Sequence, residues 1–165
     1  MEQNQTQRAW YDSDHPAGRP LREGTGNVSL EATSRAEVAG VIVVNAVGQI
    51  LVGFSTKRHV WDIPQGAVDY EETPIVAAIR ELKEETGLEV GACDLERVAH
   101  FAHRTPEFVH AFENYIFFLK SPSLAGVRNM EPEKCKELKW FAPCQLPYPR
   151  GLSLRVALAI MGKTP

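Results

Sequence analysis

The stretch from Thr73 to Gly87 constrains this chain more tightly than any other, because its ends and its interior all specify a helix. Thr73 is a favoured N-cap, Pro74 is tolerated at the first helical position, and Gly87 supplies the left-handed stop that ends many helices. The 13 residues between them, PIVAAIRELKEET, predict a single amphipathic helix. At about 100° per residue, Glu81, Glu84 and Glu85 share an arc of roughly 100°, and Ile75, Ile79, Leu82 and Thr86 fill the arc beside it. One stripe is built for a core and the other is acidic. Like charges at this spacing cost about 0.2–0.5 kcal/mol per pair on an exposed helix, so three glutamates call for a cation. Arg80, four residues before Glu84, supplies part of that charge, and such a stripe alone reads as a solvated face. A cluster of oxygen donors without nitrogen or sulfur suits a hard divalent ion such as Mg²⁺ or Mn²⁺ rather than zinc.

The rest of the chain sets the frame for this helix. Its 165 residues fit one domain, and a hydrophobic fraction of 44% with 24% charged residues is ordinary for a soluble globular protein. A net charge of −3 lacks the basic excess of a general duplex or membrane-surface binder. No run of 18 apolar residues occurs and the first residues do not read as a signal peptide. Cys93, Cys135 and Cys144 form no CxxC pair, so a reduced, cytoplasmic setting is expected. Residues 1–35 are polar and form an extension, with Trp10 and Tyr11 offering a docking pair for the body or for a second copy in a homodimer. Residues 36–165 carry the domain. Two β-branched runs near 38–44 and 49–54 flank a turn at Asn45–Gly48 and predict a hairpin. Further strands are expected near 94–102, 108–119 and 137–141, with a loop over 121–135 and a closing helix over 152–161. Strands mixed with two helices give an α/β (α+β) sandwich.

The spacing around the acidic helix is more specific than the stripe itself. Gly66, five residues, Glu72, seven residues, and then Arg80-Glu81-Leu82-Lys83-Glu84-Glu85-Thr86-Gly87-Leu88 fill every position of the Nudix box, GX5EX7REUXEEXGU with U aliphatic. A chance match is of order one in a billion per starting position, which overrides the solvated-face reading. The chain resembles the Nudix hydrolases over roughly residues 37–162. The resemblance implies the Nudix fold, a mixed β-sheet between helices, and hydrolysis of a nucleoside diphosphate linked to another moiety. It also implies that Glu81, Glu84 and Glu85 are metal ligands, that Gly66 lends a backbone carbonyl, and that Arg80 and Glu72 orient helix and loop. Metal charge at such a site screens the phosphate oxygens that would otherwise repel an attacking water. Glu84 is the expected general base, and Glu131, in the loop 46 residues after Glu85, is the outside candidate that a mobile loop would deliver.

Within the family, Asn129-Met-Glu-Pro-Glu-Lys-Cys135 looks like the MutT-type nucleotide triphosphate diphosphatase branch, which splits nucleoside triphosphates into monophosphate and pyrophosphate. Lys57 and Arg58 are expected to take the place of the basic residue that usually follows the second strand. Trp140 and Phe141 alternate in a strand, so at most one of them, here Phe141, lines a base pocket. Pro64-Gln65-Gly66 instead resembles RNA 5′-pyrophosphohydrolases and some dinucleoside polyphosphate hydrolases, and makes Gln65 a candidate substrate contact. The tyrosine those relatives carry shortly after the box is missing from His103–His110. A small nucleotide is therefore the expected partner, with nucleic acid only as a 5′-end substrate and no membrane. A non-catalytic binding module would usually have lost box glutamates, and none is lost here.

Overall fold

The structure, a computed structural model, describes residues 36–104, 111–119 and 125–162. The 1–35 extension with Trp10 and Tyr11, and most of the His103–His110 stretch, lie outside the described residues. The first strands are β1 (Ala36–Ile42) and β2 (Ile50–Ser55). Between them Asn45 builds the turn: its Oδ1 accepts from the backbone N–H of Val47 and Gln49, and Gly48 takes φ 80°. The expected hairpin is in fact a corner. Beyond the bond from Leu51 N–H to the Val43 carbonyl and a bridge between Val44 and Ile50, the two strands enter different sheets.

The short β3 (Trp61–Asp62) and β4 (Gln65–Ala67) follow, and then α1 (Pro74–Thr86). After these come β5 (Leu95–His103), β6 (Phe112–Leu119), β7 (Cys135–Phe141) and α2 (Leu152–Ile160). A four-stranded sheet runs β4-β1-β6-β5, with β1 parallel to β6 and antiparallel to β4. A three-stranded antiparallel sheet runs β3-β2-β7. The mixed sheet between helices implied by the resemblance is present, as the mixed four-stranded sheet with the antiparallel three-stranded one beside it.

The division into two sheets follows from burial. Ala39, Val41, Val43 and Leu51 pack under Ala77, Ala78 and Leu82 of α1, together with Phe117 and Leu119. Ile42, Ile50 and Val52 point the other way and pack, with Ile116, under Leu154, Ala157 and Leu158 of α2. Strands covered on both faces read as continuous apolar runs, and each takes a neighbour at either edge to satisfy its backbone. Among the described residues no helix is long and apolar enough to cross a membrane.

The acidic helix is anchored by its other face. Ala77, Ala78, Leu82 and Thr86 are buried, and Gly87 closes the helix at φ 73° with its N–H on the Lys83 carbonyl. Leu82 has no exposed surface. Leu82→Ala is expected to cost about 2–5 kcal/mol of stability, read as a lower denaturant midpoint with an unchanged slope.

Candidate active site

Four segments meet at the solvent side of α1: the β4 turn, the loop into α1, the turn between β2 and β3, and the loop before β7. In β4, Gly66 pairs with Ala39 of β1. A β-carbon on Gly66 would fall inside the Glu81 carboxyl group, overlapping its carbon and both oxygens. Only glycine lets that carboxylate lie against the strand backbone. Arg80 then ties the loop to the helix. Its Nε and one terminal nitrogen donate to the two oxygens of Glu72 at 3.1 and 2.9 Å, and the same terminal nitrogen reaches the Ala67 carbonyl at 2.9 Å. Glu72 also accepts from the backbone N–H of Asp69 at 3.1 Å. This two-pronged pairing holds Arg80 firmly protonated, with the Glu72 hydrogen bond as the main cause. The other terminal nitrogen of Arg80 donates to Glu81 at 2.7 Å and to Glu84 at 3.4 Å.

The three box glutamates sit in different environments. Glu81 is 12% exposed, and burial raises its pKa against the opposing pull of Arg80. Glu85 is partly buried, and its carboxyl is pushed well above the usual range by desolvation and then by the Glu81 charge. Its Oε2 accepts from the Gln65 backbone N–H at 3.2 Å. Glu84 is 47% exposed and meets water most freely of the set. Among the described residues no three acidic, histidine or cysteine side chains close into a metal cage, and Arg80 engages Glu81 and Glu84. The donor set nevertheless fits a hard divalent ion. It is all oxygen, and burial raises the pKa of two of its carboxyls, a shift that added positive charge would oppose.

Glu131 is brought to the same place, with its charge raising the pKa of both Glu81 and Glu85. Its loop is docked at several points rather than free to swing. The N–H groups of Arg128 and Met130 cap the last carbonyls of α1, on Thr86 and Glu85, each at 3.1 Å. Asn129 accepts from the Glu131 N–H and donates to the Cys135 carbonyl. Thr56 N–H and Oγ1 hold the carbonyls of Glu133 and Lys134, which ties the β2–β3 turn to this loop. The Glu131 carboxylate pairs with Lys134 at 2.8 Å.

The expected substrate contacts separate into two groups. Arg58 and Lys57 lie on the β2–β3 turn, Lys57 exposed and Arg58 27% exposed. The Arg58 guanidinium donates to Asp62 at 3.2 Å and is close enough to Glu85 to offset part of its raised pKa. Gln65 faces inward: its amide donates to Asp62 at 2.8 Å and accepts from Ser153 of α2 at 2.5 Å. Both ends of that side chain are engaged inside the protein, so its contribution to the site comes from its backbone N–H on Glu85. Phe141 lies on the α2 side, its ring edge-on to Trp61 at 5.3 Å, and Trp140 packs on the α1 side. Sequence reasoning passed over Asp62. An acid between Trp61 and Ile63, in an otherwise apolar run, was the available signal.

The profile of the NUDIX domain family matches residues 34–158, most of the chain. The chain belongs to the Nudix family. Among solved structures it is similar to a MutT Nudix hydrolase from Burkholderia pseudomallei, 25% identical, with a TM-score of 0.68 over 76% of this chain and 96% of that one. The solution structure of the E. coli ORF135 protein shares the fold at 21% identity and a TM-score of 0.65, covering 82% and 94% of the two chains. The protein is a Nudix pyrophosphohydrolase acting on small nucleotides, and the family generally uses divalent metal ions.

The raised carboxyls have a consequence for the metal-free protein. A carboxyl with a raised folded-state pKa binds more protons folded than unfolded at any pH above its ordinary value of 4.5, up to the folded value. Stability therefore falls as pH rises through that window, and none is lost on this account below it. Glu85→Gln is expected to raise the melting temperature of the metal-free protein at neutral pH and to flatten its decline above pH 4.5, measured by thermal melts across pH.

Proposed function

We propose that this Nudix enzyme hydrolyses free nucleoside or deoxynucleoside triphosphates to the monophosphate and pyrophosphate, with Mg²⁺ as the ion in use and Mn²⁺ able to replace it. Glu81, Glu84, Glu85, Glu131 and the Gly66 carbonyl would hold the metal, which when bound screens the phosphate charge and acidifies the attacking water. Arg80 keeps the loop and helix in register and restrains Glu81 and Glu84. Arg58, with Lys57 beside it on the turn, meets the phosphate oxygens. Glu84, the most exposed of the three, takes the proton of the water that attacks between the α and β positions, as the anhydride bond breaks and pyrophosphate leaves. The reaction is assigned to the cytoplasm, and residues 1–35 to a separate extension that takes no part in the chemistry.

The observation that carries the reading is Arg58. Its guanidinium donates to Asp62, lies close enough to Glu85 to oppose that group's raised pKa, and is partly exposed, the placement expected of a cation that meets a short polyphosphate. The inward turn of Gln65 supports it. The Pro64-Gln65-Gly66 element, which pointed towards RNA ends and dinucleoside polyphosphates, here serves the attachment of α2. A long RNA would also gain from basic surface, and the net charge is −3.

The test is a comparison of specificity constants for a panel of triphosphates, a 5′-triphosphorylated RNA and a diadenosine polyphosphate. A triphosphate is expected to win. Preference for either alternative by more than about tenfold, some 1.4 kcal/mol of transition-state binding, would reject the substrate class while leaving the family intact. In the same assay Glu85→Gln is expected to lower the rate by at least about 100-fold with saturating Mg²⁺. Near-normal turnover would remove Glu85 from the ligand set.

A further inference from the structure

Asp62 is the most buried charged residue among those described, at 3% exposure. Burial raises the pKa of its carboxyl, and Arg58 is the largest influence opposing that shift. Three of its bonds do not need a charge. Oδ1 accepts from the N–H groups of Ile63 and Leu154, which caps the start of α2, and Oδ2 accepts from the Gln65 amide. An asparagine oxygen could serve the first two. The partners that distinguish a carboxylate from an amide both meet Oδ2: the Gln65 amide, and the Arg58 guanidinium, four residues earlier and across the β2–β3 turn, which alone of the partners carries a charge. The pocket is shaped for this group: a β-carbon on Gly151 would overlap the carboxylate that Arg58 binds.

Arg58 is fixed from its other end as well. Its backbone N–H donates to Ser55 Oγ at 3.1 Å, and Thr56 staples the same turn to the loop that carries Glu131. A long, rotamer-rich side chain is thereby held at its base by the turn and at its tip by a buried carboxylate. An arginine ordered before substrate arrives loses less freedom when it meets a phosphate.

We propose that Asp62 is a positioning residue for phosphate recognition, holding the Arg58 guanidinium in register with the box carboxylates. The idea rests on the proposed triphosphate reading, in which Arg58 contacts the polyphosphate. It also gives the buried acid a role in the reaction that its structural bonds do not require.

A double-mutant cycle tests it, with KM and kcat measured for nucleoside triphosphate hydrolysis in Mg²⁺ for the wild type, Asp62→Asn, Arg58→Gln and the pair. Arg58→Gln is expected to raise KM about tenfold, and Asp62→Asn several-fold with kcat within about twofold of wild type. The double variant is expected to be no worse than Arg58→Gln alone. Effects that multiply, or an Asp62→Asn loss confined to kcat, would overturn the proposal, because a merely structural acid has no reason to act through Arg58. Should Asp62→Asn fail to fold, Arg58→Ala, which leaves Asp62 in place, is assayed with added guanidinium. Saturable recovery with guanidinium, and none with ammonium, is the expected result; no recovery would overturn it. If wild type ignores triphosphates, the substrate reading fails separately, and the cycle is run on whichever phosphoanhydride it cleaves.

Discussion

Three like charges on one helix face have to be reconciled with a fold that covers two of them, and the pairing of Arg80 with Glu72 is what makes this workable. The fork fixes the loop from Gly66 to Glu72 against α1 and leaves one arm of the guanidinium for Glu81 and Glu84. The loop, so held, places Gly66 where a β-carbon cannot exist and the Gln65 N–H where it meets Glu85. A charged pair with this geometry is stronger than an exposed one because both partners are partly desolvated and every prong finds an acceptor. Without it, the acidic stripe would repel itself into solvent.

Around this centre the fold adds two further ties, both to the β2–β3 turn. One runs through Thr56 to the Glu131 loop, and the other runs through Arg58, Asp62 and Gln65 to Ser153 and the start of α2. The acidic helix, the cationic turn and the outlying glutamate therefore hang on one hydrogen-bonded frame rather than on separate loops. Rigid support of this kind suits chemistry that depends on positioning and charge screening more than on covalent steps.

Much of this was legible in the sequence where the signal is local. Thr73, Pro74 and Gly87 mark α1 with the bounds observed, since backbone preference acts within a few residues, although the Thr73 side chain makes no capping bond. The carboxylates needed only helical spacing. The partition into two sheets was not legible, because β2 finds its partner in β7, where Ile50 faces Phe141 across some ninety residues of chain. Gln65 and Phe141 illustrate the same limit. Each is of a type that can read a nucleotide, and each is turned inward by long-range partners, Ser153 for the one and Trp61 for the other. Asp62 was overlooked for the converse reason: an acid in a short strand carries no periodic signal, and its importance comes from Leu154 and Arg58, which the fold brings to it.

The central claim is that desolvated carboxylates on α1 are held apart from solvent in order to bind a divalent cation. The most direct measurement is the melting temperature of the wild type and of a Glu81→Gln/Glu85→Gln double variant as Mg²⁺ is raised into the millimolar range. A ligand that binds only the folded state stabilises it by an amount that grows with the logarithm of its concentration once that exceeds the dissociation constant. The account predicts a rise in the wild type, continuing as Mg²⁺ increases, that disappears in the double variant. An equal response in both proteins, or none in either, would contradict it.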